Sequence, residues 1–102
     1  MKYIVVENVL SVDDLSGISS YTDFVGTFNS VEDVCKTVTE KMDEYIADIE
    51  EDGLTYEEYN DSSEEPEDDD FSEIASVEAW DEEGSEGIGT QITHTFYVYK
   101  TK

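Results

Sequence analysis

Residues 30–53 read SVEDVCKTVTEKMDEYIADIEEDG, and this stretch decides the fold. Val31, Val34, Cys35, Val38, Met42, Tyr45, Ile46 and Ile49 recur at helical spacing, one apolar face sustained for about five turns. Ser30 with Glu32 and Asp33 is close to a capping box, Asp33 standing where Glu or Gln is usual. Gly53 is the natural stop, because a helix commonly ends on a left-handed residue that only glycine adopts cheaply. A long helix with one apolar stripe needs an apolar surface to cover, and the flanking segments must supply it.

Upstream, residues 3–12 read YIVVENVLSV, rich in β-branched side chains. Ile4, Val6, Leu10 and Val12 share one parity and are expected on the buried face of a strand. A polar stretch to Ser20 reads as a loop, and Tyr21–Phe28 as a second strand forming a hairpin with the first. Downstream, residues 74–81 alternate well enough for a strand. The last strand is expected over Ile88–Tyr99, with Ile88, Ile92, Phe96 and Val98 on its apolar face. Thr90 and His94 share that parity, so a bulge or register change is expected there. The predicted class is α+β: a four-stranded, mostly antiparallel sheet in the order β-β-α-β-β, with one long helix packed on one face. Residues 1–102 read as a single small domain, with an acidic loop or short helix at about 54–73. The junction VGTFNSVEDV (residues 25–34) is similar to the strand-to-helix junction of small phage and bacterial proteins that share this element order.

Charge sets this chain apart. It has 28 Asp and Glu against five Lys and no Arg, for a formal net charge of −23 over 102 residues. Between Glu40 and Glu73 lie 17 of those carboxylates and one base, Lys41. Such a surface repels nucleic acid and anionic lipid and attracts whatever is built to hold an anion. Self-repulsion costs stability, most of all at low salt, which implies that the charge has a use. With no basic patch, direct nucleic-acid binding is not expected.

The motifs of common chemistries are missing. His94 is the only histidine, and between Thr93 and Thr95 it reads as a packing or hydrogen-bonded residue. Cys35 is the only cysteine, which excludes an internal disulfide and, on the apolar stripe, reads as a small core residue. No C-x-x-C, H-E-x-x-H, P-loop or G-x-G-x-x-G occurs. Residues 64–70 are rich in hard oxygens but lack the spacing and glycine of a calcium loop. No catalytic residue, cofactor or metal site is expected. The opening MKYIVVENVL lacks a long apolar run, and no segment approaches a membrane span, so a cytoplasmic protein is expected.

The candidate surface is therefore acidic. Glu40, Glu44, Asp48 and Glu51 form a second helical stripe away from the apolar one, with Asp43 beside it. Carboxylates four residues apart lie about 6 Å apart along the axis, comparable to the spacing of phosphates along one nucleic-acid strand. Asp43, with Glu57, Glu58, Asp61, Glu64, Glu65, Asp68, Asp69 and Asp70 of the following segment, is expected to supply a second row. Tyr56, Tyr59 and Phe71 lie among them as anchors for a partner or as packing that holds the segment down. In size, charge, aromatic content and lack of catalytic residues the chain resembles the small acidic DNA-mimic inhibitors of phages and mobile elements, the anti-restriction and anti-CRISPR proteins and the uracil-DNA glycosylase inhibitors. That resemblance implies a non-enzymatic inhibitor occupying the DNA- or RNA-binding cleft of a basic host enzyme, such as a defence nuclease. The alternatives are an acidic adaptor that binds a basic protein without competing with DNA, a domain adapted to high salt, and a plain solvated face. Oligomeric state is left open, a homodimer included.

Overall fold

The computed structural model describes residues 2–13, 17–66, 71–81 and 91–101. Its elements are β1 (Tyr3–Asp13), β2 (Gly17–Phe28), α1 (Val31–Glu51), β3 (Thr55–Asn60), β4 (Phe71–Trp80) and β5 (Gln91–Lys100). The strands form one sheet in the order β2-β1-β5-β4-β3, with every neighbouring pair antiparallel. The α+β class and the long helix agree with the sequence. The expected four-stranded sheet does not: there are five strands, and the additional one, β3, lies where an acidic loop or short helix was expected. β3 pairs with β4 from Thr55 opposite Trp80 to Asn60 opposite Ala75. As an edge strand it has no second neighbour among the described residues, and its charges are the usual protection of such an edge. TYEEYN therefore carries no apolar alternation, although Thr and Tyr favour extended backbone.

β1 corrects a second expectation. Tyr3, Val5, Glu7 and Val9 are its buried residues, and Leu10 is exposed. The set Ile4, Val6, Leu10 and Val12 faces away from the helix, opposite to the sequence reading. Both parities of YIVVENVL are apolar, so the choice rests on Glu7 against Asn8, and Glu7 is buried because it has a partner. β2 begins at Gly17 rather than Tyr21, so residues expected in a loop pair with Leu10–Asp13. β5 starts at Gln91 and needs no bulge. Its even residues Ile92, His94, Phe96 and Val98 all face the helix, and Ile88 lies outside the described residues. The register shifts fall instead between Val5 and Val6 of the β1–β2 pair and between Glu73 and Ala75 on β4.

The core lies between the sheet and α1. The helix contributes Val34, Val38, Met42 and Ile49, and the sheet contributes Tyr3, Val5, Ile74, Ala75, Val77, Ala79, Phe96 and Val98. Val31, Tyr45 and Ile46 of the stripe pack at its margin. Cys35 is half-buried rather than a core residue, with its Sγ 3.9 Å from Thr39 Oγ1. The molecule measures 49 × 23 × 17 Å along its principal axes. Among the described residues α1 is the one helix and packs on one side of the sheet, so they leave its second face uncovered.

Both helix ends follow the sequence. The Ser30 hydroxyl accepts from the Asp33 amide at 3.2 Å, and Gly53 follows the C-cap Asp52 with φ of 74°. A Cβ at Gly53 would meet nothing within 4 Å. Gly53→Ala is therefore expected to cost only the left-handed backbone penalty, about 1 kcal/mol. That is a fall in Tm of about 4–8 °C for a domain of this size. Gly53→Asn should melt close to the parent protein, because Asn tolerates that conformation; thermal denaturation of the pair checks both.

Candidate partner-binding surface

α1 turns its outer side to solvent. Glu40, Asp43, Glu44, Asp48 and Glu51 are all exposed, and none takes part in an ion pair among the described residues. The last turn has no basic residue, yet Asp48, Glu50, Glu51 and the C-cap Asp52 crowd it. Carboxylates there oppose the negative end of the helix dipole, at roughly 0.3–1 kcal/mol each near the surface. Glu40, Glu44 and Asp48 also repel one another at i, i+4.

The segment after α1 divides between the two sides of the sheet. The Tyr56 hydroxyl donates to Glu50 at 3.0 Å, and Asn60 Nδ2 donates to Thr39 Oγ1 at 3.0 Å. β3 thus runs alongside the helix, and Glu58, between these contacts, lies on the same strand face. Glu57, Tyr59 and Phe71 have the opposite parity and lie on the uncovered face. Glu57 pairs across the strand with Glu78. Tyr59 donates to the Glu73 carbonyl at 3.4 Å, and the Phe71 ring sits 5.2 Å from that of Tyr99.

Asp61 and Glu64 are exposed on the turn after β3, where Ser62 and Pro66 are buried. Glu65 is tied down: its Oε1 lies 2.8 Å from Lys100 Nζ and accepts from the Tyr3 hydroxyl at 2.9 Å. Asp68, Asp69 and Asp70 lie outside the described residues. The residues expected in a second row are therefore divided among three places. The structure gathers Glu40, Asp43, Glu44, Asp48, Glu51, Tyr56 and Glu58 on the helix side, leaves Asp61 and Glu64 on the turn, and sends Glu57, Tyr59 and Phe71 to the other face.

One buried cluster was not foreseen as a unit. His94 Nδ1 lies 2.9 Å from Glu7 Oε2 beneath the helix, and the Tyr45 ring stacks on His94 at 3.8 Å. Burial is the largest influence on the Glu7 carboxyl and would raise its pKa. Hydrogen bonds from His94 and Tyr45, with the charges of His94 and Lys41, outweigh burial and hold it below the ordinary value of 4.5. An ionised carboxylate only accepts, so Nδ1 carries the proton of this contact. Burial, then the bond to Glu7, pushes the Tyr45 hydroxyl well above its ordinary range. The signal in the sequence was Glu7 itself, an acid sharing its parity with Tyr3, Val5 and Val9.

The sign of the linkage follows. The folded chain holds the Glu7 proton less tightly than the unfolded chain, so the contribution is present above pH 4.5 and is lost as pH falls through the lower folded value. Tyr45 acts oppositely: its contribution is present below pH 10 and is lost as pH rises toward its elevated folded pKa. Net self-repulsion relaxes toward the isoelectric point near 4.1. Urea midpoints measured across pH should therefore rise as pH falls from neutrality toward about 4.1 and turn down below it, where repulsion is already relaxed and Glu7 is being protonated. Glu7→Gln should remove that downturn.

Among the described residues no group of three or more His, Cys, Asp or Glu could hold a metal ion. A groove of about 200 Å³ beside Tyr59, Asp61, Glu64 and Glu73 is acidic and open to solvent. Another, bordered by Val31, Cys35, Lys36 and Ser63, is shallow and mostly apolar. No described helix is long and apolar enough to cross a membrane. No protein-family model matches the chain, and neither a curated protein nor a solved structure matches it significantly.

Proposed function

We propose that the protein is a non-enzymatic nucleic-acid mimic, an inhibitor that lays the outer face of α1 into the DNA- or RNA-binding cleft of a basic enzyme such as a phage-defence nuclease. The observation that carries this reading is the exposed helix row Glu40–Asp43–Glu44–Asp48–Glu51. It is single-signed, free of ion pairs among the described residues, and continued to the helix end where its charge is least favourable. Solvation alone does not require that cost. Carboxylates about 6 Å apart on a rigid helix face can meet the Arg and Lys that otherwise hold successive phosphates. Long-range attraction accelerates encounter, and Tyr56, beside Glu50, supplies an aromatic edge to the row. The protein acts in the cytoplasm with its target and binds no nucleic acid itself.

The test is capture of partners from bacterial lysate by the tagged protein at about 0.15 M salt, where charges are screened beyond about 8 Å. It is run with and without excess duplex DNA and read by mass spectrometry. Retention of a nucleic-acid enzyme that DNA displaces supports mimicry. A partner retained regardless of DNA replaces it with the adaptor reading.

A further inference from the structure

The second face of the sheet differs from the rest of the molecule. On β2, β1 and β5 the side chains pointing away from α1 include Ile4, Val6, Leu10, Ile18, Phe24 and Tyr97, and the remainder are Asn, Gln, Ser, Thr, Val and Tyr. Among the described residues this three-strand surface carries no charge, in a chain with 28 carboxylates. Its apolar members are presented to solvent: Ile18 is 75% and Phe24 67% exposed. Both belong to β2, an edge strand of twelve residues. That strand has neither Lys nor Pro and a single acid, so one register shift near Val25 is its main protection as an edge.

We propose that this face is the interface of a homodimer, with the occupant a second copy of the chain packed sheet against sheet about a twofold axis. Charge selects the occupant. A copy of the same chain brings −23 of its own and can approach only where neither molecule shows a carboxylate. The β2-β1-β5 part of this face meets that condition, whereas the β4-β3 part carries Glu73, Glu78 and Glu57; the second copy is therefore centred on β2 and β1, and a basic partner gains nothing there. The geometry also keeps the acidic layers apart. Packed sheets lie about 10 Å apart and each carries its helix on the outside, so the two helices are roughly 30 Å from one another. That is more than three Debye lengths at 0.15 M salt, where the length is about 8 Å, and about one at 0.01 M.

Three strands at about 4.8 Å spacing and about 34 Å in length offer a footprint on the order of 500 Å² per copy. This sits at the small end of specific interfaces, so the dimer is expected to be weak, with a Kd in the micromolar range. The inference does not depend on what α1 binds.

The experiment is sedimentation velocity and equilibrium of the full chain from about 1 to 200 μM, spanning a micromolar Kd, in low and high salt. The expected result is a monomer–dimer equilibrium that tightens at least about tenfold between 0.01 and 0.5 M salt as repulsion is screened. That salt dependence is opposite to binding of a basic partner. Ile18→Glu and Phe24→Glu, each at an exposed position, should leave the circular dichroism spectrum unchanged and hold the chain monomeric throughout. A wild-type chain that stays monomeric in high salt overturns the proposal. So does a dimer that survives both substitutions, which would place the contact elsewhere.

Discussion

Glu44→Lys combined with Glu51→Lys is expected to make the protein more stable and a poorer binder at once. Two reversals, each worth two charges, move the net charge from −23 to −19. On the helix surface they convert the repulsive neighbours 40/44, 44/48 and 48/51 into attractive pairs, each worth a few tenths of a kcal/mol in either direction. The substitution at Glu51 would also set a cation at the negative end of the helix dipole, where positive charge is favoured and a carboxylate is not. The sum is about 2 kcal/mol, or roughly 10 °C in Tm for a domain of this size. Binding should move the other way. Each reversed carboxylate leaves a partner cation opposite a lysine, and losing one hydrogen-bonded charge in a desolvated contact costs about 2–5 kcal/mol. Affinity for the captured enzyme should therefore fall by more than about 100-fold. A variant that melts higher and still inhibits fully would remove α1 from the interface. One that melts lower would show that the parent charges are compensated in the fold, and the argument from their cost would fail.

α1 was readable because its apolar stripe, its Ser30 cap and its Gly53 stop are local signals that agree. The strands with apolar alternation were found as strands. β3 was not, because an edge strand exposes both faces and Glu57-Glu58 looks the same in a loop, a helix or an edge. On β1, Ile4, Val6, Leu10 and Val12 outnumber Tyr3, Val5 and Val9, so the apolar count points to the wrong face. Sequence counts apolar residues but does not show that one helix covers only one side of five strands. The excess apolar residues were assigned to the core and lie instead on the open face. The acidic residues of α1 were placed correctly on its outer surface by period alone. Those after it were scattered by the alternation of a strand not foreseen.

His94→Ala is expected to be among the most damaging single substitutions in the chain. It leaves the Glu7 carboxylate beneath α1 without its nearest partner, 2.9 Å away, and breaking a buried pair by removing one member costs about 3–5 kcal/mol. A domain of this kind has only about 5–15 kcal/mol in all, and self-repulsion reduces it further. The variant should be largely unfolded at low salt and partly rescued by molar salt. Replacing both members, Glu7→Met with His94→Leu, removes the desolvated charge as well as its partner. That variant should lie within about 1 kcal/mol of the parent, giving a coupling energy of at least about 2 kcal/mol in the double-mutant cycle. The pair then has another role, and β1 points to it. With both parities apolar, a one-residue slip of β1 would turn Ile4, Val6 and Leu10 inward at little hydrophobic cost. Glu7 and His94 meet only in the observed register, where Val9 faces His94 and Phe96 faces Glu7. The double variant should accordingly be stable yet less uniquely packed, with doubled or broadened amide resonances on β1 and β5. A single sharp set would show that register is held elsewhere, at the β1–β2 bulge or by the fit of α1.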